Sequence, residues 1–290
     1  MAYIGFMRFL ASAVLALVPL VAFGQGISDS SEISFENTKV KVTDLAHNFL
    51  LEFGQEDAPE LNQSARRESA DGKYVVYDLV PYRLTLPKGN GEIARLENVP
   101  MLTGGAPSPT VKPRYVDFDA AKKHVEKFVS LQRGAWLSQD PDQMNGLYVL
   151  EERTVPASEA VRNHLNGGRP YHLFRYGIRQ GGYDFLIEPV YVEVLLDAAK
   201  GDLISFSRDV RAEDFGSLNG ENLPEKDAKA IANGAVPGES TGKWLGWVYP
   251  NRAWNAAVPG NEARLAWIFA FGKKQVWVDA RTAKIVGGVP

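Results

Sequence analysis

Residues 276–286 read V-W-V-D-A-R-T-A-K-I-V, and the fold follows from how that stretch is read. Val276 and Val278 alternate with Gln275, Trp277 and Asp279, which is the period of a β-strand. Ile285 and Val286 resume an apolar, β-branched run. Between the two lies a turn opened by Asp279, because an Asp at a strand end can accept backbone N–H groups two residues on. The stretch therefore reads as a hairpin. Asp279 is its structural stop, with no second acid or histidine near it in sequence to make a catalytic pair.

The same hairpin can be laid without a gap on 195–204, L-L-D-A-A-K-G-D-L-I, where Asp197 matches Asp279 and Leu203 matches Ile285. A weaker copy lies at 85–94, T-L-P-K-G-N-G-E-I-A, with Pro87 in place of the Asp and Gly91 matching Gly201. Glycine there suggests a turn residue with positive φ. Ala283 holds the equivalent place in the last copy and would cost about 1 kcal/mol if its φ is still positive. Residues 182–206 also align with 72–96 at a constant offset, which favours an internal repeat.

The chain has 290 residues, 45% of them apolar and 23% charged, which are ordinary globular values. Its net charge of −3 gives no basic field for nucleic acid. There are no cysteines, so disulfides, thiolate metal sites and cysteine nucleophiles are excluded together. Arg8 precedes an apolar run over 9–23, and Ala22 and Gly24 supply the small residues of a cleavage site. That run is shorter than the roughly 20 residues a membrane span needs. The expectation is a signal peptide over 1–24, cleaved after Gly24, a secreted or periplasmic mature chain, and no membrane span once the signal is removed.

Helical spacing of Val42, Leu45, Phe49 and Phe53 predicts a first helix over 38–53, ended by Gly54. Strands follow over 62–69, 73–80, 82–86 and 92–96. A Gly- and Pro-rich stretch, 98–113, reads as a linker. A second helix carries Ala121, Val125, Phe128 and Val129 and ends at Gly134. Residues 135–170 have no counterpart in the first unit and read as an insertion. Strands return over 171–178, 182–187, 190–196 and 202–206, and a polar linker spans 209–222. Leu223-Pro224-Glu225 starts a third helix, ended by Gly234, with strands over 244–249, 263–271, 275–278 and 284–286. Helix-then-sheet order, repeated, argues α+β with antiparallel sheets. The units run over 25–97, 114–208 and 223–290, each a helix packed on a three- to four-stranded antiparallel sheet.

The third unit resembles the PepSY-like domains and the related propeptide domains of secreted bacterial metalloproteases. The likeness runs from the strand A-R-L-A-W-I-F-A-F, 263–271, through V-W-V-D-A-R-T-A-K-I-V-G-G, 276–288, with Ala283 where that family usually has Gly. The second unit matches through 196–204 and the first through architecture alone. The resemblance implies a helix on a curved, cystatin-like sheet, a bacterial exported protein, and a non-catalytic role such as binding or restraining a peptidase. It brings no catalytic residues and no cofactor.

The residues themselves offer little chemistry. His47, His124, His164 and His172 form no ligand pair, and no nucleophile elbow, phosphate loop or dinucleotide fingerprint is present. Asp78 and Glu188 fall at matching strand places, which is a structural role before an acid–base one. Neither a catalytic residue, a metal site nor a cofactor is assigned. Five of the six tryptophans lie in the last unit. Along 265–271 both strand faces are apolar, so the strand needs cover on two sides. Trp277 is the aromatic expected to be partly exposed, and Trp277 and Trp267 are the candidate partner contacts. The expected partner is a protein or peptide in the envelope or extracellular space. Two alternatives remain: a hydrolase whose site lies in 135–170, with His164, Glu151, Glu152 and Arg153, or a structural envelope component.

Overall fold

The computed structural model describes residues 32–35, 38–55, 59–88, 92–103, 114–133, 146–186, 191–209, 216, 220–256 and 262–290. The expected signal peptide, the turn at 89–91, most of the expected first linker, the first part of the expected insertion, and Glu188 lie outside them. A short hairpin, β1 (Glu32–Phe35) and β2 (Thr38–Lys41), leads into α1 (Val42–Glu52). Four antiparallel strands follow: β3 (Asn62–Glu68), β4 (Tyr74–Val80), β5 (Tyr82–Pro87) and β6 (Arg95–Asn98). A one-turn helix, α2 (Val99–Leu102), is capped by Asn98, whose side chain accepts the Met101 N–H at 3.2 Å.

The second part holds α3 (Phe118–Arg133), β7 (Gly146–Val155), α4 (Ala157–Arg162), β8 (Tyr171–Gln180), the two-residue β9 (Tyr183–Asp184), β10 (Val192–Asp197) and β11 (Leu203–Arg208). The last holds α5 (Glu225–Ala235), β12 (Gly242–Val248), β13 (Arg264–Phe271), β14 (Lys274–Asp279) and β15 (Ile285–Val289). The protein is thus mixed α and β, with antiparallel sheets and few helices.

The sheets do not divide as the chain does. β6 pairs with β11, Leu96 opposite Phe206, and this pairing fuses the first two parts into one nine-stranded sheet. Its path runs β3-β4-β5-β6-β11-β10-β8-β7, and β12-β13-β14-β15 form a separate sheet. β5 and β10 occupy equivalent places in the internal alignment, but their surroundings differ. β4 lies beside β5 over its whole length, whereas the place beside β10 is taken by β8. The described part of the segment equivalent to β4 carries β9, which pairs with the end of β8. β8 packs into both cores, and this burial on two faces holds it at the edge of β10.

α1 and α3 lie on one face of this sheet. Each buries a stripe at helical spacing: Val42, Ala46, Phe49 and Leu50 on α1, and Ala121, Val125, Phe128 and Val129 on α3. α1 starts at Val42 because Thr38–Lys41 pairs as β2 instead. Phe49 meets Phe128 edge to face at 5.2 Å and Phe206 at 4.9 Å, so the two helices and the shared sheet close on one aromatic cluster. Trp247 and Leu265 of the last sheet join the same core. On the opposite face, Met101, Ala160, Leu195 and Ile204 form a smaller core under α2 and α4. α5 packs Ala228 and Ala232 against Phe269, Val276 and Val278. It runs through Gly234 to Ala235, one residue beyond the expected stop.

Candidate functional site

The acidic turns are built alike. Asp279 Oδ1 accepts the N–H groups of Arg281 and Thr282, both at 2.8 Å, and the Ala283 N–H reaches Asp279 O at 3.2 Å. Asp197 Oδ1 accepts from Ala199 at 3.0 Å and Lys200 at 2.8 Å, and the Gly201 N–H reaches Asp197 O at 2.7 Å. Gly201 has φ +75° and Ala283 has φ +56°, so the left-handed residue is kept even where glycine is not. In each turn one carboxylate oxygen, Oδ1, is spent on turn geometry.

Around Asp197 a polar hub assembles. Asn166 Nδ2 donates to Asp197 Oδ2 at 2.8 Å, and Arg169 Nε lies 3.4 Å from the same oxygen. Residues 114–117 strap the hub to α1. The Arg114 N–H donates to Lys200 O at 2.8 Å, its guanidinium reaches Gly54 O at 2.6 Å, and Tyr115 stacks on His124 at 3.9 Å. His124 Nε2 donates to Phe53 O at 2.6 Å. His172 Nε2 donates to Val116 O at 3.2 Å, which leaves Nδ1 to accept from Thr154 Oγ1 at 2.9 Å. Burial pushes both imidazoles below the ordinary histidine pKa, towards the neutral form. Burial, with Asp197 beside it, pushes the Asp202 carboxyl up to about 6, against the pull of Lys200 and Arg114.

The insertion residues do not converge. Glu151 is paired with Arg153 and Arg175, and Arg153 also grips Glu159. Glu152 meets Lys122 of α3 at 2.5 Å and Tyr176 Oη at 3.1 Å, with a different set of neighbours. His164 lies exposed in the turn after α4, at φ +54°. Asp78 is paired with Arg83 and Arg67. Among the described residues no group of three or more His, Asp or Glu could hold a metal ion, and no helix is long and apolar enough to cross a membrane.

The tryptophans are rearranged relative to expectation. Trp277 is 3% exposed, not a partly free aromatic. Its pairing with β15 shifts register beside Gly287, and a Cβ at Gly287 would stand 2.7 Å from Trp277 Cε3. The glycine leaves room for the indole to lie against the sheet, among Val248, Ala266, Ile268 and Val286. Its Nε1 donates to Gln275 Oε1 at 3.2 Å. Trp267 is half-buried on the α5 face, donating to Leu223 O at 2.8 Å, and Leu223 also closes a backbone bond onto Ala280. Trp247 is fully buried and donates to Gln180 O at 2.9 Å, while Trp254 donates to Gln275 O at 2.7 Å. Four indole N–H groups are therefore spent inside the fold.

Trp244 differs. It is 49% exposed, and no acceptor meets its N–H among the described residues. It stands on β12, an edge strand, in a cross-strand row with Ile268 and Trp277. Its ring leans over Gly242, where a Cβ would stand 2.5 Å from Cη2. Beside it, Lys243 pairs with Glu225 of α5 at 2.7 Å. Towards Val248 the edge is occupied: Phe185 bridges Trp247 in parallel, and the Leu186 N–H donates to Trp247 O at 3.2 Å. Over residues 242–245 no strand pairs with the outer side among the described residues. The sequence held a signal for this. Trp244 and Trp247 are three residues apart, so one strand must place them on opposite faces and only one can share the face of Leu265.

No family model matches the chain, and no curated protein matches it. Among solved structures, a distant neighbour is the Bacillus megaterium YpeB C-terminal domain, with 14% identity, a TM-score of 0.37, and coverage of 91% of this chain and 98% of that one.

Proposed function

We propose that this chain is an exported binding protein without catalytic chemistry, built from three PepSY-like units, whose partner is a protein or peptide of the envelope or extracellular space. The observation that carries the reading is Trp244: a large aromatic, half exposed, at an open sheet edge, where the other described tryptophans donate to acceptors inside the fold. Exposed aromatic surface on an otherwise well-packed domain is the usual mark of a contact with another molecule. The polar clusters support the same reading, since their carboxylates and imidazoles are committed to turns, straps and ion pairs. Export is supported by Arg8 and the apolar run that ends at Gly24. The narrower form of the proposal is restraint of a peptidase.

The test is a pull-down from the source's secreted and envelope fractions with the wild-type chain and Trp244→Ala in parallel. A specific protein retained by the wild type and lost by the variant is the expected result. Background alone would contradict the reading, and equal recovery by both would place the contact away from Trp244. A secreted metalloprotease slowed by excess chain would establish the narrower form, and unchanged rates across such enzymes would remove it.

A further inference from the structure

The two larger sheets end, among the described residues, on the edges of β3, β7, β12 and β15. An unpaired edge offers N–H and C=O groups to any passing strand, and folded proteins commonly block it. β3 breaks register between Gln63 and Ala65 and carries Arg66 and Arg67. β7 breaks register between Val149 and Glu151. β15 is sealed by one side chain: Asn251 Nδ2 donates to Gly288 O at 2.9 Å, and Oδ1 accepts the Gly288 N–H at 3.1 Å. The Asn251 N–H adds a bond to Val286 O at 3.0 Å. β12, by contrast, pairs with β13 in unbroken register from Gly242 to Val248. Over residues 242–245 it has, among the described residues, neither a bulge nor a seal.

The other end of β12 shows what this edge accepts. The chain's own residues 184–186 run along it in extended form, bonded at Trp247. Leu186 lies across Gly246, where a Cβ would stand 2.5 Å from Leu186 Cγ, on the face that also carries Trp244. An extended segment with an apolar side chain on that face is therefore already seated beside the open half. We propose that residues 242–245 take up an extended strand of a partner polypeptide, pairing backbone to backbone and setting an apolar side chain against Trp244.

This inference rests on the binding reading above, and its test separates the two. A phage-displayed library of random dodecapeptides is panned on the full chain and counter-selected against Trp244→Ala, whose melting curve is checked first. The expected peptides alternate apolar and polar residues and weaken at least about tenfold on Trp244→Ala. They lose binding when every backbone N–H is methylated, and they slow amide exchange at residues 242–246. Peptides that tolerate full methylation, no enrichment over the variant, or protection of β12 by dimerisation alone would overturn strand addition. A protein partner recovered equally by wild type and Trp244→Ala would leave a binding protein standing and refute this edge. Recovery of neither peptide nor protein would sink both.

Discussion

In the turn at Asp279 the carboxylate accepts two backbone N–H groups and, among the described residues, holds no other side chain. In the turn at Asp197 the corresponding group also holds Asn166 and Arg169, and residues 114–117 cross over it. The local hydrogen-bond plan is the same, so the turn itself explains neither difference. The surroundings do: one turn ends a small sheet, while the other joins α1, β8 and the strap ahead of α3. A motif that stops a strand in one place becomes a hub where a neighbouring segment needs its unused acceptors.

Gly201→Ala should be the most damaging way to probe that contrast. A Cβ there would stand 1.5 Å from Arg114 O, so the strap must move, and stability should fall by on the order of 4 kcal/mol in urea unfolding. Ala283 shows that positive φ alone is tolerated, at about 1 kcal/mol, so a loss of that size at Gly201 would mean the strap contact counts for nothing. Next, Asp197→Ala should cost about 3 kcal/mol, because it strands buried donors, whereas Asp279→Ala should cost about 1–2 kcal/mol. Equal losses would erase the distinction between hub and stop.

Asp202 probes the hub by pH. Its folded carboxyl titrates near 6, above the ordinary 3.8, so between these values the folded state keeps a proton that the unfolded chain gives up. Its contribution therefore falls as pH rises from about 4 to about 6. Asp202→Asn should remove that fall and leave the protein more stable at pH 7, by on the order of 2 kcal/mol. His124 and His172 act in the opposite sense: their depressed folded values favour the fold above about 6.5 and cost stability as pH falls below it. Unfolding free energies of the variant from pH 4 to 8 should thus lose the Asp202 fall and keep the histidine slope. The smallest effect is Ala283→Gly, a gain of about 1 kcal/mol with no other change.

The hairpins, the helix stripes and the positive φ at Ala283 were legible because each is set by residues close in sequence. The β6–β11 pairing was not, since Leu96 and Phe206 meet across more than a hundred residues and leave no local period. The place beside β10 was misread for a similar reason: β8 wins it through packing on two faces, and the alignment of 182–206 with 72–96 cannot register a competitor. Trp277 read as exposed because strand parity set it beside Gln275 and Asp279. Parity says nothing about a ring that can lie down over a glycine opposite. Trp244 had a readable sign in its spacing from Trp247, but which of the two would face outward depended on the edge position of β12.

The central claim is that the acidic turns hold the fold and the β12 edge holds the partner. It is tested most directly by titrating the recovered partner into Trp244→Ala and Asp279→Ala and melting both. The account predicts that Trp244→Ala loses binding while melting within about 2 °C of wild type, and that Asp279→Ala melts lower but still binds. Binding kept by Trp244→Ala and lost by a folded Asp279→Ala would contradict it.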